Sequence, residues 1–248
     1  MRALTFNEII TLKSAKQNFR DCYLVSALSA LTNTANGRKI LQQNIQKDGN
    51  AYCIRFNNVN GSAESYLVKQ TECDKLVLLD KFTQEIALPI DKQHNPIIKA
   101  VEVAMNKLLS VHPTKKPIIC RIPGCQEKFE FNKVSNFLEM FTGVKPLTLN
   151  ESGLKMTLIK HKNTVTRLFG RMGKENETGF VFGTGYNFIF DDMPHCLTLK
   201  HVDTDSSKIT VRDNRTMQMV TNTYEHAIKR YKFICGYFNE MLKQNPYV

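Results

Sequence analysis

The sequence predicts an α+β fold, and three observations carry that prediction. The run from Tyr23 to Leu31 is almost wholly apolar and rich in Ala and Leu, as in a helix buried on all sides. Ile97, Val101, Ala104, Met105 and Leu108 recur at helical spacing. From Gly179 onward, short runs of alternating polarity are divided by turn-forming clusters such as Asp203-Thr204-Asp205-Ser206-Ser207, the mark of antiparallel strands. The expectation is a single domain over residues 1–248. A mainly helical lobe spans 1–145, a mainly β lobe spans 146–248, and a cleft lies between them.

Residues 1–13 read as a polar-apolar lead-in. The buried helix runs over 22–34, with Asp21 placed to cap its first turn and the cluster Asn33-Thr34-Ala35-Asn36-Gly37 to end it. A further helical turn or two covers Arg38 to Gln46. Tyr52, Ile54 and Phe56 alternate with Cys53 and Arg55, so residues 50–56 and 64–69 form a hairpin around Asn57 to Gly61. Leu76 to Leu79 is a short apolar run. Asn95 and Pro96 open the next helix as its cap and first position. Residues 111–130 read as a loop, 133–141 as a short helix and 153–171 as another. Gly170 to Gly179 reads as a connector, and it lacks the Gly-Lys-Ser/Thr ending of a phosphate loop. Strands follow at 180–182, 195–199 and 208–212, then a helix at 223–229 and a last strand at 233–238.

Composition narrows the function. With 248 residues and 42% hydrophobic content, the chain can bury a sizeable core. No apolar stretch approaches the roughly 20 residues that cross a bilayer. Lys and Arg exceed Asp and Glu by 11, which favours acidic partners. The basic residues are dispersed, however. The densest group, Lys155, Lys160, Lys162, Arg167, Arg171 and Lys174, reads as a solvated face. An acidic protein surface is therefore the expected partner, and nucleic acid is not.

Seven cysteines, with no Cys-x-x-Cys among them, are expected to be reduced thiols. Cys120 and Cys125 lack the partners that would complete a zinc pattern. No metal or cofactor is expected. Residues 1–8 lack the apolar core of a secretory signal. The expected location is the cytoplasm or, by export without a cleavable signal, the interior of a host cell.

One constellation stands out. Cys22 lies at the start of the buried helix, where the macrodipole and free N–H groups favour an anion and a thiol tends toward thiolate. Such a nucleophile needs a nearby base, and the base needs a group to hold its tautomer. His195 begins a strand, and Asp213 closes the partner strand with the parity of Ile209 and Val211, so it faces the same side. Asn214 has the opposite parity and is the alternative third residue. His201 shares the parity of His195 deeper in the hairpin and reads as structural or surface. Cys196 is expected to point away from His195 and to be inert.

Asp21-Cys22-Tyr23-Leu24-Val25-Ser26-Ala27 resembles the run Asp-Cys-Trp-Leu-Leu-Ala-Ala of the papain-like cysteine peptidases of calpain type. His195-Cys196-Leu197-Thr198-Leu199 resembles their His-Ala-Tyr-Ser-Val strand, and Ile209-Thr210-Val211-Arg212-Asp213 resembles Ile-Arg-Ile-Arg-Asn. Ile97 to Leu108 and Phe137 to Gly143 are similar to intervening family segments, in family order. The resemblance implies a two-lobe papain-like fold and a cysteine endopeptidase acting on protein substrates, on the plan of a compact bacterial effector. It implies Cys22 as nucleophile, His195 as base, Asp213 in the place of the family Asn, and Gln17 in the oxyanion hole. Gln17 lies five residues before Cys22, where the family spacing is about six. The same thiol site is compatible with deamidation and isopeptide cleavage, and the basic surface with a non-catalytic binding module.

Overall fold

The computed structural model describes residues 1–16, 22–59, 61–74, 77–78, 88–89, 95–111, 132–150, 158–175, 177–184 and 195–244. The first part of the chain contains β1 (Arg2–Ala3), α1 (Phe6–Lys13), α2 (Cys22–Leu31), α3 (Ala35–Asn44), β2 (Ile45–Asp48), β3 (Ala51–Val59), β4 (Ser62–Lys69) and α4 (Gln70–Asp74). The pair β5 (Val77–Leu78) and β6 (Leu88–Pro89) precedes α5 (Pro96–Val111) and α6 (Asn132–Thr142). Then come β7 (Leu147–Asn150), a 3-10 turn (Leu158–His161), α7 (Lys162–Lys174), β8 (Thr178–Thr184), β9 (Cys196–Asp203) and β10 (Lys208–Asp213). The chain continues through β11 (Met219–Thr223), α8 (Tyr224–Arg230), β12 (Tyr231–Phe238) and α9 (Asn239–Leu242). The fold is α+β, with antiparallel sheets.

Two sheets organise these elements. The smaller has the order β1-β2-β3-β4, so the part expected to be mainly helical also holds a sheet built onto the predicted hairpin. The larger has six strands in the order β11-β10-β9-β8-β12-β7, all drawn from residues after 145. The last strand inserts between β8 and β7. Gly236 is required there, because a Cβ would collide with the Gly179 carbonyl and the Phe180 Cα.

The six-stranded sheet is apolar on both faces, and each face has its own core. Val181, Cys196, Phe233, Cys235 and Tyr237 join a cluster with α1, α2, α3, α5 and α6. Their neighbours Phe180, Phe182, Leu197, Leu199, Ile209, Val211, Ile234 and Phe238 face a second cluster with α7 and α8. The alternation follows from the two-residue period of a strand. Each fully buried Phe contributes about 1.5–3 kcal/mol by leaving water.

Helix α2 lies against β8 and β9 with every residue buried except the half-buried Tyr23. Gly179 permits this approach, since any side chain there would strike the Ala30 carbonyl. Three local predictions change. Thr5 and Glu8 form a reciprocal capping box, so the lead-in contains a helix. The cluster around Thr34 starts α3 as well as ending α2, because the Thr34 hydroxyl accepts from the Gly37 N–H at 3.0 Å. Gly170 and Gly173 lie inside α7, which runs on to Lys174. The predicted cap of α5 is present, with Asn95 Oδ1 accepting from the Ile97 N–H at 2.9 Å, and its five predicted core residues are buried. The loop expected at 111–130 lies almost wholly outside the described residues. No helix among the described residues is long and apolar enough to cross a membrane.

Candidate active site

Cys22 is the first residue of α2 and is 6% exposed. The first turn of α2 carries no acidic side chain, so the thiol is the group best placed to become an anion at the helix N-terminus. Its side chain meets two residues from the start of β9. One is the imidazole of His195, the other the thiol of Cys196, and both act on the Cys22 sulfur so as to favour its anion.

His195 sits one residue before β9 and is held by its backbone. Its N–H donates to Thr184 Oγ1 at 3.0 Å, and its carbonyl accepts from the Thr184 N–H at 2.9 Å. Its Nε2 lies 2.7 Å from Asp213 Oδ1, which leaves Nδ1 for the thiol. The same carboxylate oxygen accepts the backbone N–H groups of Arg215 at 2.7 Å and Thr216 at 3.3 Å. Asp213 is thus oriented by its own turn before it orients the imidazole.

The three groups shift together. Cys22 is held well below the ordinary thiol value of 9.0, first by the hydrogen bond from the Cys196 thiol, against the opposing effect of burial, then by the His195 hydrogen bond and charge. Burial opposes the charged form of His195, but hydrogen bonds to Asp213 and Cys22 push the imidazole up to about 9. Burial likewise opposes the charged form of Asp213, yet the hydrogen bond from His195 brings it to about 2. Near neutral pH these directions favour a thiolate, an imidazolium and a carboxylate in sequence.

The ring partner is Asp213 and not Asn214. As its opposite parity predicts, Asn214 points away from the ring and is fully buried against α2. Its Nδ2 donates to Ser26 Oγ and to Thr198 Oγ1, both at 2.9 Å, and its Oδ1 accepts from Arg212 Nε at 2.9 Å. Ser26 Oγ in turn donates to the Cys196 carbonyl at 3.0 Å. Arg212 Nη2 reaches Ser29 Oγ at 3.3 Å. This buried network fastens α2 to the strands at whose ends His195 and Asp213 lie. Its signal in the sequence is the spacing of Cys22, Ser26 and Ser29, which share one face of a helix that is otherwise apolar.

Two further residues near the site add to the sequence reading. Cys196, expected to point away from His195, shares the buried cluster of Cys22 and acts on its thiol. His201 is exposed, which agrees with its reading as structural or surface, although it does not follow the parity of His195. The ladder from β10 pairs Val211 with Leu199 but Thr210 with His201, so Lys200 is an extra, bulged residue. Beyond it the faces exchange, and Val202 turns inward instead. Lys200 reaches Ser29 Oγ at 3.4 Å, and burial, aided by the charges of Arg212 and Lys13, lowers its ammonium to about 7.

Gln17, Asp21, His94, His112 and the pair Asp191-Asp192 lie outside the described residues. His161 and His226 are exposed on other elements. Among the described residues, no cluster of three His, Cys, Asp or Glu side chains is placed to hold a metal ion. No protein-family model matches the chain, and no curated protein matches it. The site therefore rests on its own geometry: a thiol at a helix N-terminus, an imidazole and a carboxylate, converging from α2, the start of β9 and the end of β10.

Proposed function

We propose that the chain is a cysteine endopeptidase of papain-like, two-lobe architecture, closest in plan to the calpain type. The observation that carries the reading is one imidazole shared between Asp213, at 2.7 Å from Nε2, and the buried Cys22 thiol. A free core cysteine has no need of such a partner, whereas a nucleophile does.

The chemistry follows from these groups. The Cys22 thiolate attacks the carbonyl carbon of a substrate peptide bond, and negative charge develops on the carbonyl oxygen. The N–H of Cys22, in the first turn of α2, supplies a donor to that oxyanion. By the family resemblance, Gln17 supplies a second donor, and one such donor is worth roughly 3 kcal/mol. His195 gives its proton to the leaving amine, and the bond to nitrogen breaks to leave a thioester. The imidazole, now neutral, takes a proton from water as the water attacks the thioester. The carboxylic acid product leaves, and the thiolate and imidazolium are restored. Asp213 holds the ring throughout and stabilises its charged form.

The same steps serve a side-chain amide, giving deamidation, or a lysine isopeptide bond, and fold alone does not choose among them. The net charge of +11 favours substrates with acidic surfaces. The five free cysteines among the described residues fit action in a reducing compartment, the cytoplasm of the producing cell or of a host.

The test is an electrophilic cysteine-protease probe, followed by a search for cleaved proteins in a mixed protein substrate. The expected result is labelling of Cys22 and cleavage that disappears in Cys22→Ala. Labelling of Cys22 no faster than Cys53, with no cleaved, deamidated or deconjugated product, overturns the enzyme reading in favour of a binding module.

A further inference from the structure

Cys22, at the start of α2, and Cys196, at the start of β9, belong to one buried cluster where α2 packs on β9, and the Cys196 thiol acts on the Cys22 sulfur. Both residues are buried, at 6% and 8% exposure, neither is in a disulfide, and both belong to one core cluster. A separate contact fixes the strand here, since the hydroxyl of Ser26, one helical turn after Cys22, bonds the Cys196 carbonyl at 3.0 Å. Thr198 Oγ1 also reaches the Ser26 carbonyl at 3.4 Å. The first turns of α2 are thus held against the start of β9, where both cysteines sit. Cys196 also marks a departure, because the similar family strand carries Ala after its His. Its thiol has no place in the hydrolytic steps.

We propose that Cys22 and Cys196 form a reversible disulfide when the protein meets hydrogen peroxide. The Cys22 thiolate attacks one peroxide oxygen and the O–O bond breaks. Hydroxide leaves, takes the proton of the His195 imidazolium and becomes water. Cys22 is then a sulfenic acid. The Cys196 sulfur attacks the Cys22 sulfur, the S–O bond breaks, and hydroxide departs with the Cys196 proton as a second water. Two thiols have been oxidised by two electrons and one peroxide reduced to two waters. Cys196 is a resolving residue in this scheme. Condensation with a neighbouring thiol is the fast fate of a sulfenic acid, and it prevents the irreversible step to sulfinic acid. A small thiol reductant reverses the bond by exchange. While the bond exists, the nucleophile is unavailable, so hydrolysis stops under oxidation and resumes on reduction. The disulfide itself requires only the paired thiols, and its effect on hydrolysis rests on the function proposed above.

The experiment treats the full chain with hydrogen peroxide, blocks free thiols with iodoacetamide, and maps peptides by mass spectrometry without reduction. The wild type is expected to yield a peptide pair linked through Cys22 and Cys196, two hydrogens lighter than the separate peptides and split by dithiothreitol. In Cys196→Ala, Cys22 is expected to advance to sulfinic and sulfonic acid, and dithiothreitol no longer restores its alkylation. Sulfinic acid on Cys22 with Cys196 alkylated in the wild type overturns the proposal, as does a bridge from Cys22 to any other cysteine. The wild-type map decides even if the variant does not fold. It reads the bond without a substrate, so a chain that hydrolyses nothing still answers the question. An active peptidase lacking the bridge removes this inference alone.

Discussion

Cys22 and Cys235 lie in the same core cluster, both buried and both free, yet their thiols are driven in opposite directions. Cys235 lies in the middle of β12, and burial pushes its thiol up to about 12, against a weak hydrogen bond with Thr148. Cys73 behaves similarly, with burial raising it to about 11. Cys22 is held well below 9.0, although its burial acts in the same upward direction. The difference is made by the company each sulfur keeps. Burial alone disfavours the thiolate, whereas burial beside a hydrogen-bond donor, an imidazole and a helix N-terminus favours it.

Removing the sulfur breaks that comparison most severely. Cys22→Ala is expected to reduce turnover by roughly 10⁴–10⁶-fold, because residues of a catalytic unit fail together. Cys235→Ala is expected to leave turnover unchanged. Steady-state kinetics on any cleaved substrate, with thermal unfolding to verify the fold, separates the two.

Asp213→Asn comes next, with an expected loss of roughly 10²–10⁴-fold in kcat/KM. Its pH profile carries more information than its rate. Activity requires a charged imidazole, so the wild type should lose activity as pH rises through about 9. Without the carboxylate the imidazolium loses its stabilising partner, and the alkaline limb should move down toward the ordinary His value of 6.5. An unmoved limb would mean that Asp213 does not hold the ring.

Smaller effects test the framework. Asn214→Ala leaves Ser26, Thr198 and Arg212 without a shared partner, and one such buried group left unpaired costs about 1–3 kcal/mol. Chemical denaturation should register that loss. Part of the activity should fall with it, while the pH limbs stay in place. In the second core, Phe182→Ala is expected to cost about 3–5 kcal/mol of stability, yet to leave the alkylation rate of Cys22 unchanged under conditions where the variant stays folded.

The sequence expressed some of these features clearly and others not at all. The α5 face, the hairpin of β3 and β4, and the two strands bearing His195 and Asp213 follow local periodicity, so they were legible. So was the division of labour between Asp213 and Asn214, which depends only on strand parity. Strands β1, β2, β7 and β11 have two to five residues, too few for alternation to stand out, and their pairing depends on distant partners. The bulge at Lys200 leaves no periodic trace, so counting parity along the strand places His201 on the face of His195 when the bulge turns it away. Parity separates Cys196 from His195, and nothing local in the sequence brings it toward Cys22. The approach of α2 across the start of β9, permitted by the absent side chain of Gly179, is a tertiary fact that no local pattern carries.

The most direct test of the central claim is the rate of Cys22 alkylation by iodoacetamide as a function of pH, followed peptide by peptide. A thiolate sustained by its neighbours predicts that Cys22 is modified rapidly at pH 6 while Cys73 and Cys235 remain unmodified in the folded chain. It also predicts that the reactivity of Cys22 at pH 6 drops sharply in an Ala variant of His195. A Cys22 rate that rises only as pH approaches 9, in parallel with an ordinary thiol and indifferent to His195, would contradict the account.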